Sequence, residues 1–166
     1  MKILNLPNIN DSAMDNNCCT IHKLSPNSEI ISEVQDYNII SPIDVFLRYC
    51  YEDNLDLIIG NGFGAFLGYI LGAELKVKTL LTNPYIPAHD FRIAELYRYE
   101  QELKELWEKY QGKNADCHIL LSIAEHTPDA NKVMTLLKDT ADIKLVCTNT
   151  SVFNTSSYES WLKSYL

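Results

Sequence analysis

The chain is predicted to be an α/β protein, a three-layer sandwich around a mostly parallel six-stranded sheet. Three observations predict it. Short apolar, often β-branched runs alternate with helical segments, which demands right-handed crossovers and a sheet covered on both faces. One strand runs directly into a glycine turn and a helix, at IIGNGFGAFLG. No repeat, low-complexity stretch or linker interrupts the 166 residues, about one domain's length.

Residues 2–6 (KILNL) form the first strand, ended by Pro7-Asn8. A helix over 11–22 would be capped by Asp11 or Ser12, with Ala13, Met14, Cys18 and Ile21 inward. Residues 28–34 are the second strand. Ser41 is an N-cap and Pro42 a first helical residue, so a helix covers 42–53 with Ile43, Phe46, Leu47 and Cys50 on one face. The third strand is 55–59, its helix 63–74, and the fourth strand 77–82, ended by Asn83-Pro84. A long helix follows at about 91–111, then a strand at 117–123, a helix at 129–139, a strand at 143–148 and a helix at 157–165. Ligands on such sheets bind beyond the carboxyl ends of the strands. The positions of interest are therefore Leu6–Asn10, Gly60–Gly64, Asn83–Tyr85, Ala124–Thr127 and Asn149–Phe153.

A net charge of −8 argues against a nucleic-acid groove or an anionic membrane surface as partner. No apolar run reaches the length of about 18 residues that a membrane span needs. The start, MKILNLPNIN, reads as a strand broken by Pro7 rather than a signal peptide. Five cysteines is an odd number, and Cys50, Cys117 and Cys147 sit in apolar patterns as buried thiols, so a cytoplasmic location is expected. Cys18-Cys19-x-x-His22 has the opening spacing of a metal site but no second ligand pair.

The glycine turn admits three readings. Gly60, Gly62 and Ala65 fit the G-x-G-x-x-A dinucleotide fingerprint, but at the third strand, and Thr82 and Asn83 stand where an acidic ribose ligand is needed. Gly60, Gly62 and Gly64 also occupy the first, third and fifth positions of the G-x-S-x-G strand–turn–helix, with Gly62 where the nucleophile belongs. Glycine has no side chain and forms no acyl-enzyme. The third reading is structural: the elbow strains its central residue, and glycine relieves the strain. The turn's N–H groups at a helix N-terminus leave weak anion binding as an option.

DLIIGNGFGAFLGYIL, LLTNPYIPAHDF and HILLSIAEHTPD, followed by a last strand and helix, resemble the small bacterial YqiA/YcfP-type proteins of the α/β-hydrolase superfamily. The likeness runs in order along nearly the whole chain and is strongest at 57–91. Its most specific mark besides the turn is Asn83-Pro84, with Pro87 shortly after. The resemblance implies one α/β-hydrolase-like domain over 1–166, with its six strands in the order 2-1-3-4-5-6 and a helical crossover or small cap at about 87–112. It puts the nucleophile position on Gly62, the triad acid on Glu125 and the triad base on Ser151, two residues before Phe153. Serine is no proton relay near neutral pH. The oxyanion-hole motif falls on Leu6-Pro7, and proline has no N–H.

An esterase-like pseudoenzyme is therefore expected, without metal, nucleotide or other cofactor. A small or anionic ligand would sit above the turn, near Asn61, Gly62, Phe63, Asn83, Tyr85 and His126. The alternative is an active carboxylesterase-type hydrolase with a rebuilt set of Ser151, His126 and Glu125. A third reading is a structural oligomer subunit. His89, Ser122 and Thr150 are further polar groups near strand ends, His118 opens an apolar strand as a satisfied interior histidine, and His22 has no evident role.

The long helix carries Arg98–Glu102, Glu100–Lys104 and Glu105–Lys109 at i, i+4. Its stripe of Leu96, Tyr99, Leu103, Leu106, Trp107 and Tyr110 either packs on the sheet or serves as a lid or homodimer surface. The last helix, with Tyr158, Trp161, Leu162 and Tyr165, invites the same two readings.

Overall fold

The strands are β1 (Lys2–Leu6), β2 (Glu29–Ser32), β3 (Leu57–Asn61), β4 (Lys78–Thr82), β5 (Cys117–Ile123) and β6 (Asp142–Cys147). Between them run α1 (Asn16–Leu24), α2 (Pro42–Cys50), α3 (Phe63–Leu75), α4 (Glu100–Tyr110) and α5 (Asp129–Leu137), and α6 (Thr155–Lys163) comes last. These belong to a computed structural model that describes residues 1–86, 93–123, 129–147 and 155–166. The sheet has the order β2-β1-β3-β4-β5-β6, and every neighbouring pair is parallel.

Because successive strand residues face opposite ways, the sheet has two apolar faces. Leu4, Leu6, Ile58, Leu81, Ile119 and Leu121 join the cluster formed with α2, α3, α4 and α5. Ile3, Leu57, Ile59, Leu80 and Leu120 join Ile21 of α1 and Tyr158, Trp161 and Leu162 of α6. Central strands buried on both faces read as continuous apolar runs, as LDLII and HILLSI do. α3 is buried along its first ten residues, Phe63–Gly72, which is why it lacks the polar stripe of a surface helix. The rings of Phe63, Phe66, Tyr69 and Trp107 tie it to α4, with centroid separations of 5.7 Å (Phe63–Phe66), 6.3 Å (Phe66–Trp107) and 5.6 Å (Tyr69–Trp107).

Several local expectations are corrected. α1 is capped by Asp15, whose side chain accepts from the Cys18 N–H, not by Asp11 or Ser12. Met14 then precedes the helix and is 60% exposed rather than inward. On α2 the buried face is Val45, Phe46 and Tyr49, while Leu47 is exposed. The Ser41 cap is present, accepting from the Asp44 N–H. The long helix opens as a 3-10 segment, Ala94–Tyr99, before becoming α-helical at Glu100.

The aromatic stripes turn inward. Leu96, Leu103, Leu106, Trp107 and Tyr110 are buried in the α3 cluster, and Tyr158 and Trp161 in the opposite one. They are core, and the large apolar side chain that this segment leaves exposed is Tyr97. Of the paired charges, Glu100–Lys104 is formed at 2.5 Å, whereas the Arg98 guanidinium donates to the Tyr37 carbonyl.

Candidate functional site

β3 delivers its last residue, Asn61, to the carboxyl edge of the sheet, and Gly62 reverses the chain with φ 57° and ψ −118°. A side chain is strained in that backbone region, so the sequence has glycine there. The turn is stitched to β4. The Gly62 N–H donates to the Thr82 carbonyl at 3.1 Å, and the Tyr85 N–H donates to the Gly62 carbonyl at 2.9 Å. Thr82 Oγ1 donates to the Gly60 carbonyl at 3.2 Å and lies 3.2 Å from Asn61 Oδ1. Asn83, with φ 44°, binds β4 to β5. Its Oδ1 accepts from the Ser122 N–H at 2.8 Å, and its own N–H donates to the Leu120 carbonyl at 3.1 Å.

Asn8, in the loop after β1, decides what this turn can do. Its Oδ1 accepts from the Phe63 N–H at 3.0 Å. In a nucleophile elbow, the N–H of the residue after the nucleophile is an oxyanion donor. Here a carboxamide from the same chain takes it. A Cβ built on Gly62 would lie 2.2 Å from Asn8 Oδ1 and 2.5 Å from its Cγ. A Cβ on Gly64 would lie 2.1 Å from the Leu6 carbonyl oxygen and 2.5 Å from that of Pro7, so glycine there lets the chain after β1 pack directly against the start of α3.

Asn61, Gly62, Asn83 and Tyr85 gather along the ends of β3 and β4. The Phe63 ring is fully buried, with Tyr37 at 5.1 Å and Phe66 at 5.7 Å between centroids, and only its N–H meets the turn. Pro87, His89, Ala124–Thr127 (with Glu125 and His126) and Asn149–Phe153 (with Thr150 and Ser151) lie outside the described residues.

Sequence reasoning missed a polar cluster under α1. Asn5, fully buried in the apolar run KILNL, donates from Nδ2 to Asp15 Oδ1 at 3.1 Å and to Ser32 Oγ at 2.9 Å. Burial raises the Asp15 carboxyl above its ordinary value, against the lowering effect of the Cys18 N–H and Asn5. Burial likewise raises the Tyr158 hydroxyl, with the Asp15 charge as a second cause. The lone polar residue inside an apolar strand was the available signal.

His118 stands at the amino end of β5, on the rim rather than in the interior. Its Nε2 lies 3.0 Å from Asp116 and its Nδ1 3.2 Å from Asp142, with the Tyr165 ring 4.5 Å away between centroids. It lines an open cleft of about 470 Å³ with Asn114, Asp116, Lys138, Asp139 and Asp142. That cleft is at the end of the sheet opposite the glycine turn.

Burial pushes the Cys117 thiol up to about 12 and the half-buried Cys50 thiol up to about 11. Cys18 is buried while Cys19 and His22 are exposed. The side chain of Cys147 lies outside the described part. Among the described residues, no cluster of three or more His, Cys, Asp or Glu is arranged to hold a metal ion, and no helix is long and apolar enough to cross a membrane. No family model matches the chain and no curated protein matches it.

Proposed function

We propose that this chain is an α/β-hydrolase-like protein that has lost acyl-transfer chemistry and acts by binding. One observation supports this above the others: the Asn8 carboxamide occupies the Phe63 N–H and the space beside Gly62 where a nucleophile would project. A nucleophile and an oxyanion donor are both needed for an acyl-enzyme. At this elbow the first is missing and the second is already bonded. The ligand is a small polar molecule seated beside Asn61 and Tyr85 at the carboxyl ends of β3 and β4, where open α/β sheets hold their ligands. An anion is disfavoured there, because the Phe63 N–H is already bonded to Asn8 and the chain carries a net charge of −8.

Incubation with a fluorophosphonate probe and assay with short-chain nitrophenyl esters test the reading. No labelled serine and no turnover above buffer are expected. Labelling or turnover abolished by Ser151→Ala would establish instead the rebuilt hydrolase with Ser151, His126 and Glu125.

A further inference from the structure

Among the described residues β6 ends the sheet and pairs with β5 alone, its register running from His118↔Asp142 to Ile123↔Cys147. No described residue pairs with its outer edge, whose backbone donors and acceptors make a template for another strand. Proteins commonly block such an edge with a charge, and Lys144 is exposed on it. Here the lysine has a counterpart. Asp142 lies two residues earlier, on the same face of the strand, and its side chain is 72% exposed. One carboxylate oxygen of Asp142 contacts His118 Nδ1 at 3.2 Å, which leaves the other for a second cation. On the opposite face Leu145 is 45% exposed and Ile123 39% exposed, so the apolar side of this edge is incompletely covered.

We propose that β6 is a homodimer edge, pairing antiparallel with β6 of a second copy to make one continuous sheet. A two-fold axis normal to the sheet keeps the helical layers of both copies on matching sides, and directly opposed residues then share a face. With the axis through Ile143, Asp142 of each copy stands opposite Lys144 of the other. Moving the axis to Lys144 would oppose two lysines, which is repulsive, and moving it to Leu145 would leave both lysines opposite valine. The charge pattern selects the first register, so Lys144 and Asp142 fix how two copies meet rather than keeping them apart. This interface is distinct from the inward-facing aromatic helices and from the glycine turn.

The test is solution mass on the full chain by light scattering and sedimentation equilibrium across a wide concentration range. A concentration-dependent mass reaching twice 19.0 kDa is expected. Lys144→Asp opposes two pairs of carboxylates and raises the dimer dissociation constant roughly tenfold or more. Asp142→Lys does the same with opposed lysines, and the double exchange Asp142→Lys/Lys144→Asp restores association. Lys144→Glu reads the same contact if aspartate disturbs the strand, and an unchanged circular dichroism spectrum confirms the fold of each variant. A monomer at every concentration overturns the proposal, as does a dimer indifferent to the single changes. A double variant no better than the singles overturns the register.

Discussion

Replacing Gly62 with serine forces a side chain into a backbone position with φ 57° and ψ −118°. The strain alone costs about 1–3 kcal/mol for a residue other than glycine. The new Cβ also meets Asn8, 2.2 Å from Oδ1 and 2.5 Å from Cγ. The Asn8 side chain must then swing away and give up its bond to the Phe63 N–H, a capping interaction worth about 1 kcal/mol. Together these give a loss of roughly 2–4 kcal/mol. For a chain of this size that lowers the thermal midpoint by roughly 5–15 °C. Urea unfolding followed by circular dichroism measures it. Asn8→Ala removes the obstacle and the cap together, so Asn8→Ala/Gly62→Ser should lose less than the two single variants added, by about 1 kcal/mol. The serine should gain no esterase activity, because a serine hydroxyl needs a general base beside it and no histidine among the described residues stands at the turn. A Gly62→Ser protein as stable as the parent would refute the strained geometry. Strict additivity with Asn8→Ala would refute the contact.

Gly72→Ala places a Cβ 2.2 Å from Thr79 Cγ2 and 2.7 Å from Asn114 Nδ2, against a side chain held by Tyr69 and Thr79. It should cost about 1–3 kcal/mol by overpacking, read by chemical denaturation. Asp15 carries a pH signature: its carboxyl is raised above 3.8 in the folded chain by burial. The folded state therefore holds that proton more tightly than the unfolded state. The stabilisation is present in full below 3.8 and is lost as pH rises through the folded value. Asp15→Asn keeps a cap acceptor but does not titrate, so the parent-minus-variant stability should fall across that window, and a flat or rising difference would count against the burial argument. Among the thiols, exposed Cys19 should react first with a disulfide reagent at mildly alkaline pH. Cys117, buried and with its thiol pushed up to about 12, should react only on unfolding.

The alternation of strands and helices was legible because it is written at short range. β1 and β5 have the predicted bounds, 2–6 and 117–123, and Ser41-Pro42 opens α2 as its capping chemistry requires. The unusual backbone of Gly62 was foreseeable from three alternating glycines between an apolar strand and an apolar helix. The start of α1 was less legible. Asp11, Ser12 and Asp15 all have capping side chains, and the choice of Asp15 is accompanied by its contact with buried Asn5, ten residues away.

By itself the sequence determined the fold class, the succession of strands and helices and the missing side chain at the elbow, since propensity, capping and hydrophobic period act over a few neighbouring residues. Only the tertiary structure decided that Asn8 reaches Phe63 across 55 positions, that the aromatic stripes face the core, and that His118 stands between two carboxylates on the rim. Those outcomes depend on which distant segments the sheet brings together, and local preference carries no record of that.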